Sequence, residues 1–119
     1  MISVGPATRV YLACGITDMR KGFEGLSGLV QHQLKEDPLS GHLFVFSNRR
    51  RNRIKILYFD GSGYWVCSKR LESGRFSWPR TEETPEPASL RILSEELTLL
   101  LSGIDLEKTR SRAWWRKAA

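Results

Sequence analysis

The sequence predicts an α+β fold, an antiparallel β-meander with one helix packed on its core face and a second short helix near the C-terminus. Three observations predict it. Residues 42–71 hold three β-branched and aromatic runs separated by turn chemistry. Residues 17–36 carry apolar side chains at helical spacing, and a Ser-Glu-Glu start followed by leucines marks another helix after residue 94.

The elements follow in chain order. Thr8–Ala13 (TRVYLA) is short, β-branched and aromatic, and reads as a strand. In the segment 17–36, Thr17 is a suitable N-cap, Asp18 suits the positive end of a helix, and Met19, Phe23, Leu26 and Val30 form an apolar stripe widened by Leu29 and Leu34. Gly22, Gly25 and Gly28 each cost about 1 kcal/mol against alanine. They either permit close approach to a sheet or interrupt the helix, which Pro38 and Gly41 end. The strands His42–Phe46, Arg53–Phe59 and Tyr64–Leu71 then form the meander. Asp60-Gly61-Ser62-Gly63 is a hairpin signal, and Ser47–Asn52 (SNRRRN) a looser, charged turn. Arg75–Trp78 could add a short strand stopped by Pro79. Thr81–Pro87 reads as an acidic loop and Ala88–Leu93 as another strand. Ser94 caps a helix from Glu95 to about Ser102, with Gly103 as its stop. Residues 1–106 are expected to form one domain, and 107–119 a basic tail carrying Trp114 and Trp115.

Register divides the meander into two faces. A hairpin at Asp60–Gly63 pairs Phe59 with Tyr64 and, by steps, Arg53 with Arg70; the first hairpin pairs Phe46 with Arg53. One face collects Leu43, Val45, Ile54, Ile56, Tyr58, Trp65 and Cys67, with Lys69 at its end, and the helix at 17–36 is its expected cover. The other collects Phe44, Phe46, Arg53, Lys55, Leu57, Phe59, Tyr64, Val66, Ser68 and Arg70. Its aromatics either stack on bases or form a second core layer under the C-terminal helix. Phe44, Leu57, Phe59 and Val66 are too apolar to leave in water. The aromatics are therefore expected to be mostly packed, with the basic end and the arginine turn exposed.

Charge sorts by segment. The 119 residues carry a net +6, yet residues 1–48 balance, 49–81 carry +7, 82–107 carry −6 and 108–119 carry +5. Such segregation points to a polyanionic partner on one surface. Arg49, Arg50, Arg51, Arg53, Lys55 and Arg70 are the candidate phosphate-binding groups, with Arg20, Lys21, Lys69 and Arg75 as weaker ones. Trp114 and Trp115 either anchor a partner or fold back on the sheet.

Other chemistries lack their residues. Cys14 and Cys67 belong to no Cys-x-x-Cys pattern and read as free thiols, with Cys14 and Cys67 packed as small hydrophobes. Two lone histidines, His32 and His42, make no zinc site, so no metal and no cofactor are expected. Asp18, Glu36, Asp37 and Asp60 each suit a local turn or helix end rather than a converging carboxylate set. No phosphate loop of the GxxxxGK[ST] kind is present. No stretch approaches the roughly 18 apolar residues of a membrane span, and the start lacks signal-peptide character, which predicts a cytoplasmic protein.

Two stretches, TDMRKGFEGLSGLV (17–30) and GHLFVFSNRRRNRIKILYFDGSGYWVCSKRLESGRFSWP (41–79), carry a family pattern in the blocks TDMRKGF, GHLFVF, RR, IK, DG-G and KRLE-GRF-WP. The sequence resembles the TnpB accessory protein of bacterial transposons of the insertion-sequence-66 type, which is distinct from the RNA-guided nuclease of the same name. The resemblance runs roughly from Val10 to Asp105. It implies a protein encoded beside a separate transposase and assisting transposition, with no catalytic residues to carry over. The expected function is non-catalytic binding of transposon DNA, of the transposase, or of both. A pure protein–protein adaptor, docking through 82–107 or the Trp tail, is one rival. An RNA-binding regulator is another, since HLFVF echoes an RNA-recognition strand.

Overall fold

In the computed structural model, residues 5–79 and 86–103 are described. Five strands and two helices follow in the order β1 (Val10–Ala13), α1 (Phe23–His32), β2 (Leu43–Ser47), β3 (Arg53–Phe59), β4 (Tyr64–Arg70), β5 (Ser89–Ile92) and α2 (Ser94–Leu101). The α+β class and the antiparallel meander β2-β3-β4 stand as the sequence predicts. The sheet order is β4-β3-β2-β1-β5. β1 lies parallel to β2 and antiparallel to β5, so the whole sheet is mixed. Parallel neighbours need a crossover, and α1 supplies it.

The second hairpin has the register expected from DGSG, from Phe59↔Tyr64 to Arg53↔Arg70. Asp60 holds that turn. Its Oδ1 accepts the Ser62 and Gly63 amides at 2.9 and 3.0 Å, and Gly61 takes φ +102°. The first hairpin differs from expectation by two residues, with Phe46 opposite Lys55 rather than Arg53. Ser47 extends the strand and pairs with Ile54, which leaves Asn48–Asn52 as the turn. A shift of two preserves which side chains share a face, so the division into faces survives.

Both faces are core, and the covering helices are exchanged relative to the sequence reading. Helix α1 covers the face of Tyr11, Ala13, Phe44, Phe46 and Leu57, to which it adds Leu26 and Val30. The opposite face of Val10, Leu12, Leu43, Val45, Ile54, Ile56 and Ile92 is closed by Leu97 and Leu100 of α2 together with Phe76 and Trp78. The reason lies in β1. Tyr11 is in register with Phe44 and stacks on it at 5.4 Å between ring centroids, so the β1–α1–β2 connection crosses the face these rings build. Full burial of each such ring or aliphatic contributes about 1.5–3 kcal/mol. A helix of ten residues is marginal by itself, and α1 depends on this contact.

The helix starts also move. Thr17 is no N-cap; it is buried, and its amide donates to the Ser47 carbonyl at 2.9 Å. Residues 17–22 form a loop, and α1 begins after Gly22. Of the two readings of the glycines, the interruption is correct at Gly22. Close approach is not the reason for Gly28, whose added Cβ would meet nothing within 4 Å. The helix ends before Pro38, and Lys35 there takes a left-handed φ of +57°. In α2 the N-cap is Leu93, one residue before Ser94, and its amide donates to Glu96 Oε1 at 2.7 Å. Arg75–Trp78 forms no strand; it is a connecting segment that sends Phe76 and Trp78 into the core.

Candidate nucleic-acid interface

The Asn48–Asn52 turn is tightly closed. Asn48 Oδ1 accepts the amides of Asn52 and Arg53, both at 3.1 Å, and Asn48 Nδ2 donates to Asn52 Oδ1 at 2.8 Å. Ser47 Oγ donates to the Arg53 carbonyl at 2.8 Å. This wiring lets Arg51 adopt a left-handed φ of +55° and turn inward while Arg49 and Arg50 stay exposed.

Arg51 is the main correction to the predicted site. It is only 3% exposed. Its guanidinium donates to the carbonyls of Cys14 at 3.1 Å, Gly15 at 3.2 Å and Ser47 at 3.4 Å. It lies 5.1 Å from the Trp78 ring centroid, and the Trp78 indole N–H donates to the Ala13 carbonyl at 3.0 Å. The Arg51 carbonyl in turn accepts the Phe76 amide at 2.6 Å. A planar, five-donor group suits three diverging carbonyls, and a phosphate has no access to it here. Arg51 is a structural wedge that ties the end of β1 to the turn and to the RFSWP segment.

The remaining candidates separate by what already holds them. Arg53 and Arg70 face each other across the β3–β4 ladder and are both exposed. Lys55, on the same face, is half-buried, and its ammonium donates to the Lys21 carbonyl at 2.8 Å. Arg20 is bound to Asp18 through a bidentate contact with a shortest distance of 2.7 Å, and hydrogen bonds from Arg20 hold the Asp18 carboxyl well below the usual carboxylate range. Lys21 is exposed at the α1 entry. Lys69 points to the other face, where it donates to the Leu101 carbonyl at the end of α2 at 2.7 Å. Arg75 is exposed in the segment after β4. Trp114 and Trp115 lie outside the described residues, as does the tail that carries them.

What assembles is one basic groove of about 410 Å³ at the end of the sheet, lined by Met19, Arg53, Lys55, Ser68, Lys69 and Arg70 among others. Glu72 stands at its rim, 3.5 Å from Arg70, and that ion pair is exposed on both sides. Arg49 and Arg50 project from the turn immediately preceding β3. Opposed like charges in a ladder are unfavourable, by up to about 1 kcal/mol, so Arg53 opposite Arg70 is a placement that an anion would stabilise. Met19, expected in the helical stripe, and Ser68, expected on the face of Arg70, also line the groove, although neither was among the candidate groups. Among the described residues, no three His, Cys, Asp or Glu side chains stand together as metal ligands. Nor is any helix among them long and apolar enough to cross a membrane.

Fold and surface together define a class: a small α+β protein with a mixed five-stranded sheet between two helices and a cationic groove at one sheet end. The chain belongs to the transposon-associated IS66 Orf2-like family, whose TnpB_IS66 model matches residues 8–111. It is 44% identical over 105 residues to "Uncharacterized protein y4hO" of Sinorhizobium fredii, a match covering 88% of each chain. It is 35% identical over 112 residues to "Uncharacterized protein y4jC" of the same organism, covering 94% of this chain and 92% of that one. No solved structure matches it.

Proposed function

We propose that the protein is a non-catalytic, cytoplasmic accessory factor of an IS66-type transposon that binds DNA phosphates through the groove and assists a separate transposase. The observation that carries this reading is the convergence of Arg53, Arg70 and Lys55 on one open groove beside Arg49 and Arg50. Cationic side chains on a groove neutralise phosphates and release counterions, which makes affinity steeply salt-dependent. With Arg51 withdrawn into the core, the phosphate contacts fall to about four exposed groups, Arg49, Arg50, Arg53 and Arg70. Family membership supports the setting, because a transposon-associated protein works where DNA and transposase meet.

The test is fluorescence anisotropy with a labelled duplex across a range of salt concentrations. About four phosphate contacts predict a slope of log affinity against log salt near −3.6. Duplex affinity that is absent, or flat in salt, would overturn duplex binding through the groove and favour the transposase as the partner.

A further inference from the structure

We infer that the flank between α1 and β4 is a track for an unpaired DNA strand, an inference that rests on the groove taking phosphates. Tyr64, Val66, Ser68 and Arg70 alternate along β4 on the side that α1 covers. Helix α1 buries Phe44, Phe46 and Leu57 completely but leaves β4 open, with Tyr64 and Val66 half-buried and Ser68 and Arg70 exposed. Two depressions lie along this flank. One is the basic groove of about 410 Å³, and the other, of about 390 Å³, is lined by Phe23, Glu24, Ser27 and Tyr64. Residues 19–27 and Tyr64–Arg70 contribute to both, and Arg53–Lys55 of β3 and Glu72 join them at the basic one. From Tyr64 to Arg70 the strand spans roughly 20 Å.

The two ends differ in chemistry. Arg53, Lys55 and Arg70 make one end cationic. The other end presents rings: Phe23 is 52% exposed, and Tyr64 meets Phe59 edge-to-face at 5.3 Å. Phe23 belongs to the apolar stripe of α1 with Leu26 and Val30, yet only those two are buried. A phenylalanine left in water beside a basic groove fits a stacking partner. Successive bases stack on aromatics while cations track the backbone, the arrangement by which single strands are held. A duplex hides both faces of its bases and can use only the cationic end. Glu24 repels phosphate from the aromatic end and can accept a hydrogen bond from a base amino group, which favours bases there.

The experiment compares full-length protein binding to an oligothymidylate of about twenty nucleotides and to a duplex of equal length at the same salt. The single strand is expected to bind more tightly. Phe23→Ala should weaken single-strand binding by roughly five- to a hundredfold, as expected for loss of one stacked base. It should leave duplex affinity and melting temperature nearly unchanged, because the ring is half in water. Phe23→Trp should retain or tighten single-strand binding. Tyr64→Ala should act in the same direction, with circular dichroism confirming the fold. If duplex binding persists while Phe23→Ala and Tyr64→Ala leave the single-strand affinity within about twofold, the track is wrong and the phosphate groove stands. Loss of binding to both nucleic acids in the parent protein overturns the track and the groove together.

Discussion

The two sides of the Asn48–Asn52 turn use the same residue type for opposite purposes. On the inner side, Arg51 is enclosed by three carbonyls and a tryptophan face. On the outer side, Arg53 stands opposite Arg70 in water, and the pairing between them is repulsive. The difference teaches that charge alone does not assign a role: Arg51 and Arg53, two residues apart, divide according to whether the side chain is drawn into the fold or left on the surface. Arg51 finds acceptors within the fold, at a position where the chain must take a left-handed conformation. Arg53 and Arg70 face an open groove instead, and that is the property a phosphate-binding surface requires.

The contrast is broken most directly at Arg51. Arg51→Ala removes the donors to buried carbonyls of Cys14, Gly15 and Ser47 and the contact with Trp78. Stability should fall by about 2–4 kcal/mol, read from urea denaturation. Arg51→Lys should recover little, because an ammonium cannot span diverging acceptors as a planar fork does. A loss below about 0.5 kcal/mol would mean that Arg51 is not a wedge, and would return it to the surface set.

A smaller effect of opposite sign is expected on α1. Gly28 sits in the helix interior with open space where a Cβ would go. Gly28→Ala should therefore raise stability by up to about 1 kcal/mol without altering DNA affinity. A decrease would show that the backbone there is required to approach something closely.

The smallest effect belongs to the DGSG hairpin, far from the basic end. The amides of Ser62 and Gly63, the Trp65 indole N–H and the Ser62 hydroxyl hold the Asp60 carboxylate at about 2, from an ordinary 3.8. A lowered carboxylate contributes stability above its unfolded value and loses it as pH falls. The contribution is thus complete above about pH 4 and disappears on acidification toward pH 2. Asp60→Asn should flatten that part of the stability profile, followed by Trp65 fluorescence. Identical profiles for parent and variant would remove Asp60 from the account.

Much of this architecture was legible in the residues. Asp60-Gly61-Ser62-Gly63 determined the β3–β4 register down to Arg53↔Arg70, and alternation sorted the side chains of β2, β3 and β4 correctly into faces. Which helix covers which face was not legible, because both faces are apolar and alternation is symmetric between them. The decisive contact, Tyr11 on Phe44, joins residues 33 apart and depends on β1 lying parallel to β2. Arg51 was hidden for a related reason. Its partners at Cys14 and Gly15 are backbone carbonyls more than 30 residues away, and carbonyls leave no mark in sequence. The flanking Asn48 and Asn52 were the available signal, since asparagine amides close turns on their own backbone. Lys69, which alternation places on the opposite face from Arg70, still lines the groove, as its place among the weaker candidates allows. Its bond to the Leu101 carbonyl follows from α2 lying on that face.

The central claim is that exposed Arg53 and Arg70 bind phosphate. The most direct measurement is duplex affinity against salt for the parent and for the double variant Arg53→Ala/Arg70→Ala. The account predicts a slope reduced by roughly 2, weaker binding to all sequences alike, and stability unchanged or slightly raised as the opposed charges are removed. Equal affinity and equal slope in the two proteins at physiological salt would contradict it.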